Sequence, residues 1–417
     1  MPIAKQIKDV MSNKNSSVIR KMFEEGISLK AKYGEDNVFD FSLGNPDMTP
    51  PEEVRKAVLE VAADTSENRH GYMPNAGYLE TRNAMAEKVN TEQSLSGSDA
   101  LTGANIVMSV GAAGALTSVF KAIINPGDEV VVPSPFFAEY RNYCGHFGGV
   151  LVPVPCKEDF SLDIDAISLA LNEKTAAIII NSPNNPTGKI YSDEEIASLA
   201  KVLKAHGEKS GRMPYLICDE PYRAITYNGK KVSSAFKFYD DAVVVTSFAK
   251  NLSLPGERVG FVAINPHCSD CEELIAAVIF ATRTLGYVNS PAFFQKVVAK
   301  CWNAKADYSV YDKRCKMITS VVKNAGIHFV EPEGAFYLFC QAPLPKKDEH
   351  KYAIVLLEGG EKYCDEFAFC DHLKKYNILC APGSGFGMSG WFRMAYCVSE
   401  KTITGCEKAL KQAVCDW

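Results

Sequence analysis

The sequence predicts an α/β fold: a mostly parallel sheet wrapped by helices, followed by a smaller α/β unit. Three observations carry that expectation. Short, apolar, β-branched runs alternate with longer amphipathic stretches, the rhythm of strands joined through crossover helices. At 417 residues the chain is too long for one small core. After about Ser290 the alternation gives way to a long helical stretch and more scattered short strands, which marks a second unit.

Strands are predicted at Glu129–Val132, Val150–Pro153, Ala176–Asn181, Tyr215–Asp219, Ala242–Ser247 and Val259–Ile264. Between them, the segments Phe136–His146, Ile164–Leu171, Asp193–His206 and Glu272–Ala281 read as helices. Ser192 followed by Asp193, Glu194 and Glu195 is a helix start, a capping hydroxyl with acids at the positive end of the dipole. Beyond Ser290 the pattern predicts helix to Ala325, strands at Ile327–Glu331 and Ala335–Cys340, and a helix near Asp365–Tyr376. Strands at Ile378–Ala381 and Phe392–Cys397 and a last helix complete the reading, with Pro343–Gly360 as an exposed loop.

Composition excludes several classes of function. With 47% hydrophobic and 23% charged residues the chain reads as an ordinary soluble globular protein. Its net charge of -5 comes from 45 basic and 50 acidic residues spread along the chain, so no basic block suggests nucleic acid. The first residues lack the apolar stretch of a secretory signal, and no apolar run is long enough to span a bilayer, so the expected location is the cytosol. The 14 cysteines are scattered and point to a reducing compartment rather than a disulfide framework. Cys268 and Cys271 form a CxxC without a second pair, which reads as two unrelated thiols rather than half a zinc site, and no metal is expected.

The chemistry concentrates in two stretches. Lys250 follows Ser247-Phe248-Ala249, and Arg258 comes eight residues later. A lysine attacks a carbonyl only when part of its population is neutral, which burial and a neighbouring cation favour. Arg258 offers a planar fork and Ser247 a hydroxyl to a dianionic phosphate. Gly111-Ala112-Ala113-Gly114 opens a helix-like stretch whose backbone N–H groups can approach the same oxygens. A lone lysine is usually solvated and a lone glycine cluster is usually a packing turn; the conjunction suggests a cofactor both bonded and held by its phosphate. Asn185 in Asn185-Pro186-Thr187-Gly188, Asp219 at a strand end and Tyr222 supply the hydrogen bonds a pyridine ring needs. Glu220, one position from Asp219, is expected to point elsewhere.

Together these stretches resemble the class I/II aminotransferases of pyridoxal-phosphate fold type I, over a span from Gly44 to Arg393. The resemblance implies pyridoxal 5'-phosphate as cofactor and Lys250, Asp219 and Tyr222 as the catalytic residues. It places Ser247, Arg258, Ala112 and Ala113 at the phosphate, Asp219 at the ring nitrogen, Asn185 and Tyr222 at the phenolic oxygen, and Phe137 on the ring face. Tyr72 resembles the tyrosine that reaches the phosphate of the neighbouring subunit, which implies a homodimer with shared sites. Arg393 matches the arginine that grips the substrate α-carboxylate, with Gly44 and Asn185 beside it. The resemblance also implies a cis bond at Asn185-Pro186, and a division into a large domain at 48–295 and a small one at 296–417 joined by residues 1–47.

The function so implied is transfer of an amino group between an L-amino acid of aspartate, alanine or aromatic type and a 2-oxo acid, by a ping-pong route. A C–S β-lyase or an amino-acid decarboxylase is the alternative on the same scaffold. A ligand-sensing domain is disfavoured, since residues 1–40 hold no basic helix-turn-helix and a scaffold has no use for Lys250. Two positions depart from the family pattern. Thr284 stands where members specific for dicarboxylates carry an arginine, with Arg283 one residue off on what reads as extended chain, and Val288 replaces a serine.

Overall fold

The computed structural model describes residues 3–12, 18–357 and 360–417. The first short strand, β1 (Phe39–Asp40), finds its partner only late in the chain. A seven-stranded sheet follows, built from β2 (Ile106–Ser109), β3 (Glu129–Ser134), β4 (Val150–Pro155), β5 (Thr175–Asn181), β6 (Tyr215–Asp219), β7 (Ala242–Ser247) and β8 (Gly260–Ile264), in the order β2-β8-β7-β6-β5-β3-β4. Strands β3 to β7 pair in parallel, while β8 runs antiparallel to both β7 and β2. Helices cover both faces, so the inner strands are apolar at successive rather than alternate positions, with polar residues confined to their ends. Val131, Ile178, Ile180 and Val244 face a core shared with Met85, Leu199 and Leu203. Their neighbours Val130, Ile179 and Val243 face the opposite core, with Leu116, Phe120 and Val278.

The Ser192 cap forms as expected. Its hydroxyl accepts from the Glu195 N–H at 3.2 Å and the Glu195 carboxylate accepts from the Ser192 N–H at 2.8 Å, opening the helix Asp193–Ser210. Helices Glu52–Ala62 and Leu79–Gln93 and strand β2, which the sequence reading left unassigned, complete this half.

Past Lys300 the chain builds a second core. β9 (Tyr337–Gln341) is followed by the hairpin β10 (Ile354–Leu356) and β11 (Lys362–Cys364), then β12 (Ile378–Leu379), β13 (Ala381–Pro382) and β14 (Trp391–Ala395). β14 lies between β13 and β9, antiparallel to both, and β12 pairs in parallel with β1 through Phe39↔Ile378 and Asp40↔Leu379. Helices Ser309–Asn324 and Glu400–Asp416 enclose this core, which also takes in Phe41 and Tyr222. Among the described residues no helix is long and apolar enough to cross a membrane.

Several expectations need correction. The helix foreseen over Phe136–His146 begins only at Tyr140, because the Phe136 N–H is drawn to the Phe386 carbonyl at 2.9 Å. The stretch from Ser290 to Ala325 is two helices, Ala292–Lys300 and Ser309–Asn324, interrupted where the Ala304 N–H turns back to the Cys301 carbonyl at 3.0 Å. Ile327–Glu331 is no strand; it touches β9 through the single bridge Phe329↔Cys340. Within Pro343–Gly360, residues 358 and 359 lie outside the described residues. The rest is partly ordered inward, with His350 buried and stacked on Trp417 at 4.7 Å.

Candidate active site

The parallel strands end side by side, and the site stands on those ends. β6 closes with Asp219 and β7 with Ser247, and a single helical turn, Phe248–Asn251, then carries Lys250. Helix Gly111–Ile123 starts opposite, directing its first N–H groups toward the same space. Gly111 has a φ of +69°, and a Cβ there would lie 2.8 Å from Arg258 Nη2, so glycine is what lets the guanidinium lie against the helix start. The cavity that results, of about 180 Å³, is lined by Ala112, Ala113, Phe137, Asn185, Asp219 and Tyr222, together with Ser247, Lys250 and Arg258.

Asp219 carries the most distinctive electrostatics. One oxygen, Oδ2, accepts a 2.5 Å hydrogen bond from the Tyr140 hydroxyl; the other, Oδ1, is buried without a partner. Burial pushes its pKa up to about 7, against the opposing pull of Tyr140. A buried carboxylate oxygen left unpaired beside a cavity fits a cationic donor that enters it. Glu220 faces away, paired with Arg223 at 2.8 Å and bonded by Gln93 at 3.3 Å.

Lys250 Nζ donates to the Gly44 carbonyl at 2.6 Å. Burial, helped by the positive charges of Arg393 and Arg258, lowers its pKa to about 8, so about a tenth of the amine is neutral at a pH of about 7. Asn185 is fixed by its N–H, which donates to Asn181 Oδ1 at 2.6 Å, while Asn181 Nδ2 donates to the Asp219 carbonyl at 2.7 Å. Among the described residues the cis X–Pro bonds are Ser134-Pro135 and Ser182-Pro183, not Asn185-Pro186. The 184–188 turn is closed instead by Asn184, whose Oδ1 accepts from the Thr187 N–H at 3.1 Å and whose carbonyl accepts from Gly188 at 2.8 Å.

Arg393 and Gly44 sit next to the cavity rather than in its wall. Arg393 is buried, donating to Asn185 Oδ1 at 2.9 Å and to the Ser42 carbonyl at 2.7 Å, with Nε unpartnered. Its guanidinium lies 4.6 Å from the ring centroids of both Tyr337 and Phe386. Phe386 is held there through Glu366, whose carboxylate accepts from the N–H groups of Ser384 at 3.0 Å and Gly390 at 2.8 Å. No salt bridge engages Arg393 among the described residues, so its charge is available to an incoming anion. Tyr72 stands apart, 96% exposed.

Arg283 and Thr284 lie in the last turn of helix Cys271–Thr284, not on extended chain, and neither lines the cavity. One residue there is a rotation of roughly 100° about the helix, not a flip to the opposite face. Val288, at φ 60°, accepts from Asn75 through its carbonyl at 3.2 Å. Cys268 bonds Asp241 and Cys271 meets Asn105, so the two thiols serve different contacts. Among the described residues no group of three or more His, Cys, Asp or Glu side chains can hold a metal ion.

Sequence reasoning missed Tyr140, Asn181, Tyr337 and Phe386. Tyr140 had a faint signal, three residues after Phe137 and so one turn along. Asn181 stands four residues before Asn185 at the end of a predicted strand, whereas Tyr337 meets Tyr222 across 115 positions and Phe386 reaches Phe136 from the turn Gly383–Phe386, so those two leave no local trace.

A family model described as aminotransferase class I and II matches residues 36–410. The chain is 33% identical over 400 residues to a probable aspartate/prephenate aminotransferase of Aquifex aeolicus, covering 93% of each chain. It is 28% identical over 427 residues to an aspartate aminotransferase of Bacillus subtilis, covering 99% of each. Among solved structures, an amino transferase of Eubacterium rectale matches with a TM-score of 0.89 at 36% identity, over 99% of this chain and 98% of that one.

Proposed function

The chain belongs to the class I and II aminotransferases and is a transaminase; on that premise we propose that it holds pyridoxal 5'-phosphate in the Asp219–Lys250 cavity and moves amino groups from an aspartate-, alanine- or aromatic-type L-amino acid to a 2-oxo acid. The Aquifex and Bacillus relatives, an aspartate/prephenate and an aspartate aminotransferase, put aspartate first among the donors. They also favour transamination over elimination or decarboxylation. The observation that carries the cofactor reading is the unpaired, buried Asp219 Oδ1 facing a neutralisable Lys250 across one cavity.

Bound pyridoxal 5'-phosphate supplies an electrophilic carbon and a ring that accepts an electron pair. Asp219 Oδ1 would hold the ring nitrogen protonated, with Tyr140 fixing the other oxygen so that the carboxylate cannot rotate away. Asn185 and Tyr222 would donate to the phenolic oxygen and Phe137 would cover the ring. Arg258, Ser247 and the N–H groups of Ala112 and Ala113 receive the phosphate, and Tyr72 of a second copy completes it in a homodimer. Arg393 takes the substrate α-carboxylate with the Gly44 backbone beside it. The Tyr337 and Phe386 rings, each 4.6 Å from the guanidinium, would help hold it in place for the carboxylate. Lys250 is the amine that would bond the cofactor's aldehyde carbon and, once free, would move the proton away from the substrate Cα. Residues 48–295 would form the cofactor domain and 296–417 with 1–47 the small one, a division supported by the β1–β12 pairing. A cytosolic site of action agrees with the cysteine-rich, thiol-only composition.

Spectroscopy of the half-reaction tests this. Aspartate, alanine and phenylalanine are added singly to the cofactor-loaded protein without an oxo acid, and 2-oxoglutarate follows. Each true donor should change the cofactor absorbance once and 2-oxoglutarate should restore it. A cysteine S-conjugate added in the same way should give no steady pyruvate and ammonia; their continuous release without an acceptor, as the β-thiolate departs, would refute transamination.

A further inference from the structure

Tyr337 touches the cavity nowhere, yet it is in contact with three of the groups that work there. Its hydroxyl lies 2.7 Å from the Tyr222 hydroxyl, and the two rings meet edge to face at 5.5 Å. Its own ring supports the Arg393 guanidinium at 4.6 Å. A Cβ on Gly44 would stand 2.2 Å from the Tyr337 hydroxyl, so the backbone that receives Lys250 is seated directly on this side chain. Strand register brings this about. β9 places Tyr337 opposite Ala395 and Phe339 opposite Arg393, so Tyr337 and Arg393 are diagonal neighbours on one face.

A phenylalanine would serve the arginine equally well as an apolar, π-bearing surface. The hydroxyl therefore needs its own explanation. Buried hydroxyls are bonded, and the partner here is Tyr222, the one residue of this pair that lines the cavity. Burial holds both phenols neutral, the Tyr337 pKa rising to about 12. Only one proton can lie between two phenol oxygens 2.7 Å apart. When Tyr222 turns its own proton into the cavity, toward an anionic ring oxygen, the proton on the shared line has to come from Tyr337.

We propose that Tyr337 is a positioning residue that couples the two halves of the site, its ring setting the plane of Arg393 and its hydroxyl donating to Tyr222 so that Tyr222 donates to the cofactor. This rests on the cofactor reading above. The arrangement links carboxylate capture at Arg393 to the electronic state of the ring through a single side chain. A shift in one is felt by the other without any contact between substrate and Tyr337.

The test compares cofactor-loaded wild type, Tyr337→Phe, Tyr337→Leu, Tyr222→Phe and the Tyr222→Phe/Tyr337→Phe double variant. Two quantities are read: the pH midpoint of the visible absorbance of the bound cofactor, and KM for aspartate, alanine and phenylalanine. Tyr337→Phe should raise the midpoint by about 0.3 unit, the share of a charge-assisted bond that a second bond in series contributes, and leave KM within about twofold. Tyr337→Leu should raise the midpoint and also raise KM about tenfold for every donor, since the cation loses one of the two aromatic rings beside it. In the Tyr222→Phe background, Tyr337→Phe should move the midpoint no further. An unshifted midpoint in Tyr337→Phe, or an equal shift with Tyr222 already gone, overturns the coupling. A wild type that shows no pH-dependent visible band with pyridoxal 5'-phosphate overturns the cofactor reading itself.

Discussion

Asp219→Asn separates what this carboxylate costs the fold from what it does for the cofactor. In the cofactor-free protein the side chain is buried, with one oxygen unpaired and its pKa lifted from 3.8 to about 7. An unfolded aspartate titrates near its ordinary value of about 3.9. Between these two pH values the folded chain holds a proton that the unfolded chain has lost, so stability falls as pH rises through the window and the loss is complete above about 7. A shift of about three units at 1.36 kcal/mol each amounts to roughly 4 kcal/mol. Asparagine keeps an acceptor for Tyr140 and carries no charge, which removes most of that cost. Cofactor-free Asp219→Asn should therefore outlast cofactor-free wild type at pH 8 by about 2–4 kcal/mol, and the gap should narrow toward pH 5. Urea midpoints at pH 5, 6 and 8 measure it. With pyridoxal 5'-phosphate added the order should reverse, since only the carboxylate can pair with a protonated ring nitrogen. A gap that does not change with pH, or a wild type that is the more stable at pH 8 without cofactor, would refute the reasoning.

Three further outcomes are expected. Borohydride should fix the cofactor covalently to wild type but not to Lys250→Ala, and the rate at which cofactor-free wild type captures the aldehyde should rise through pH of about 8 as the amine loses its proton. Arg393→Lys should raise KM at least about tenfold for aspartate, alanine and phenylalanine alike, because an ammonium cannot offer two parallel bonds; an effect confined to aspartate would place Arg393 at a side-chain carboxylate instead. Inactive Tyr72→Ala and Lys250→Ala proteins, unfolded and refolded together, should regain about a quarter of wild-type activity, since a mixed dimer rebuilds one intact site; sedimentation checks the dimer, and no recovery would remove Tyr72 from the partner's site.

The buried parallel strands were the most legible part of the fold. Tyr215–Asp219 and Ala242–Ser247 have the same bounds in sequence and structure, because a strand covered on both faces reads as a continuous apolar run that stops at the polar residues of its end. Edges and interruptions were harder. β2 is four residues long and its pairing is fixed by a strand more than 150 positions away. The start of the Tyr140 helix depends on a bond to Phe386, which no local pattern announces. The site divides along the same line. Lys250, Ser247 and Arg258 are close in sequence, so their spacing could be read. Tyr140 meets Asp219 across 79 positions and Tyr337 meets Tyr222 across 115, so those two phenols are visible only once the sheets are assembled.

The parallel pairing of Phe39 with Ile378 also sets an order of events during synthesis. The seven-stranded sheet has all its strands once Ile264 has emerged from the ribosome, whereas β1 must wait for residues made more than 300 positions after it. At 5–20 residues per second that delay lasts about 20–70 s. Throughout it, the leading segment that carries Ser42 and Gly44 has no strand to join, so the arginine and lysine carbonyl contacts are among the last to be made. A nascent chain stalled short of Ile378 should expose Phe39 and Phe41 to proteases and chaperones while its sheet already resists them.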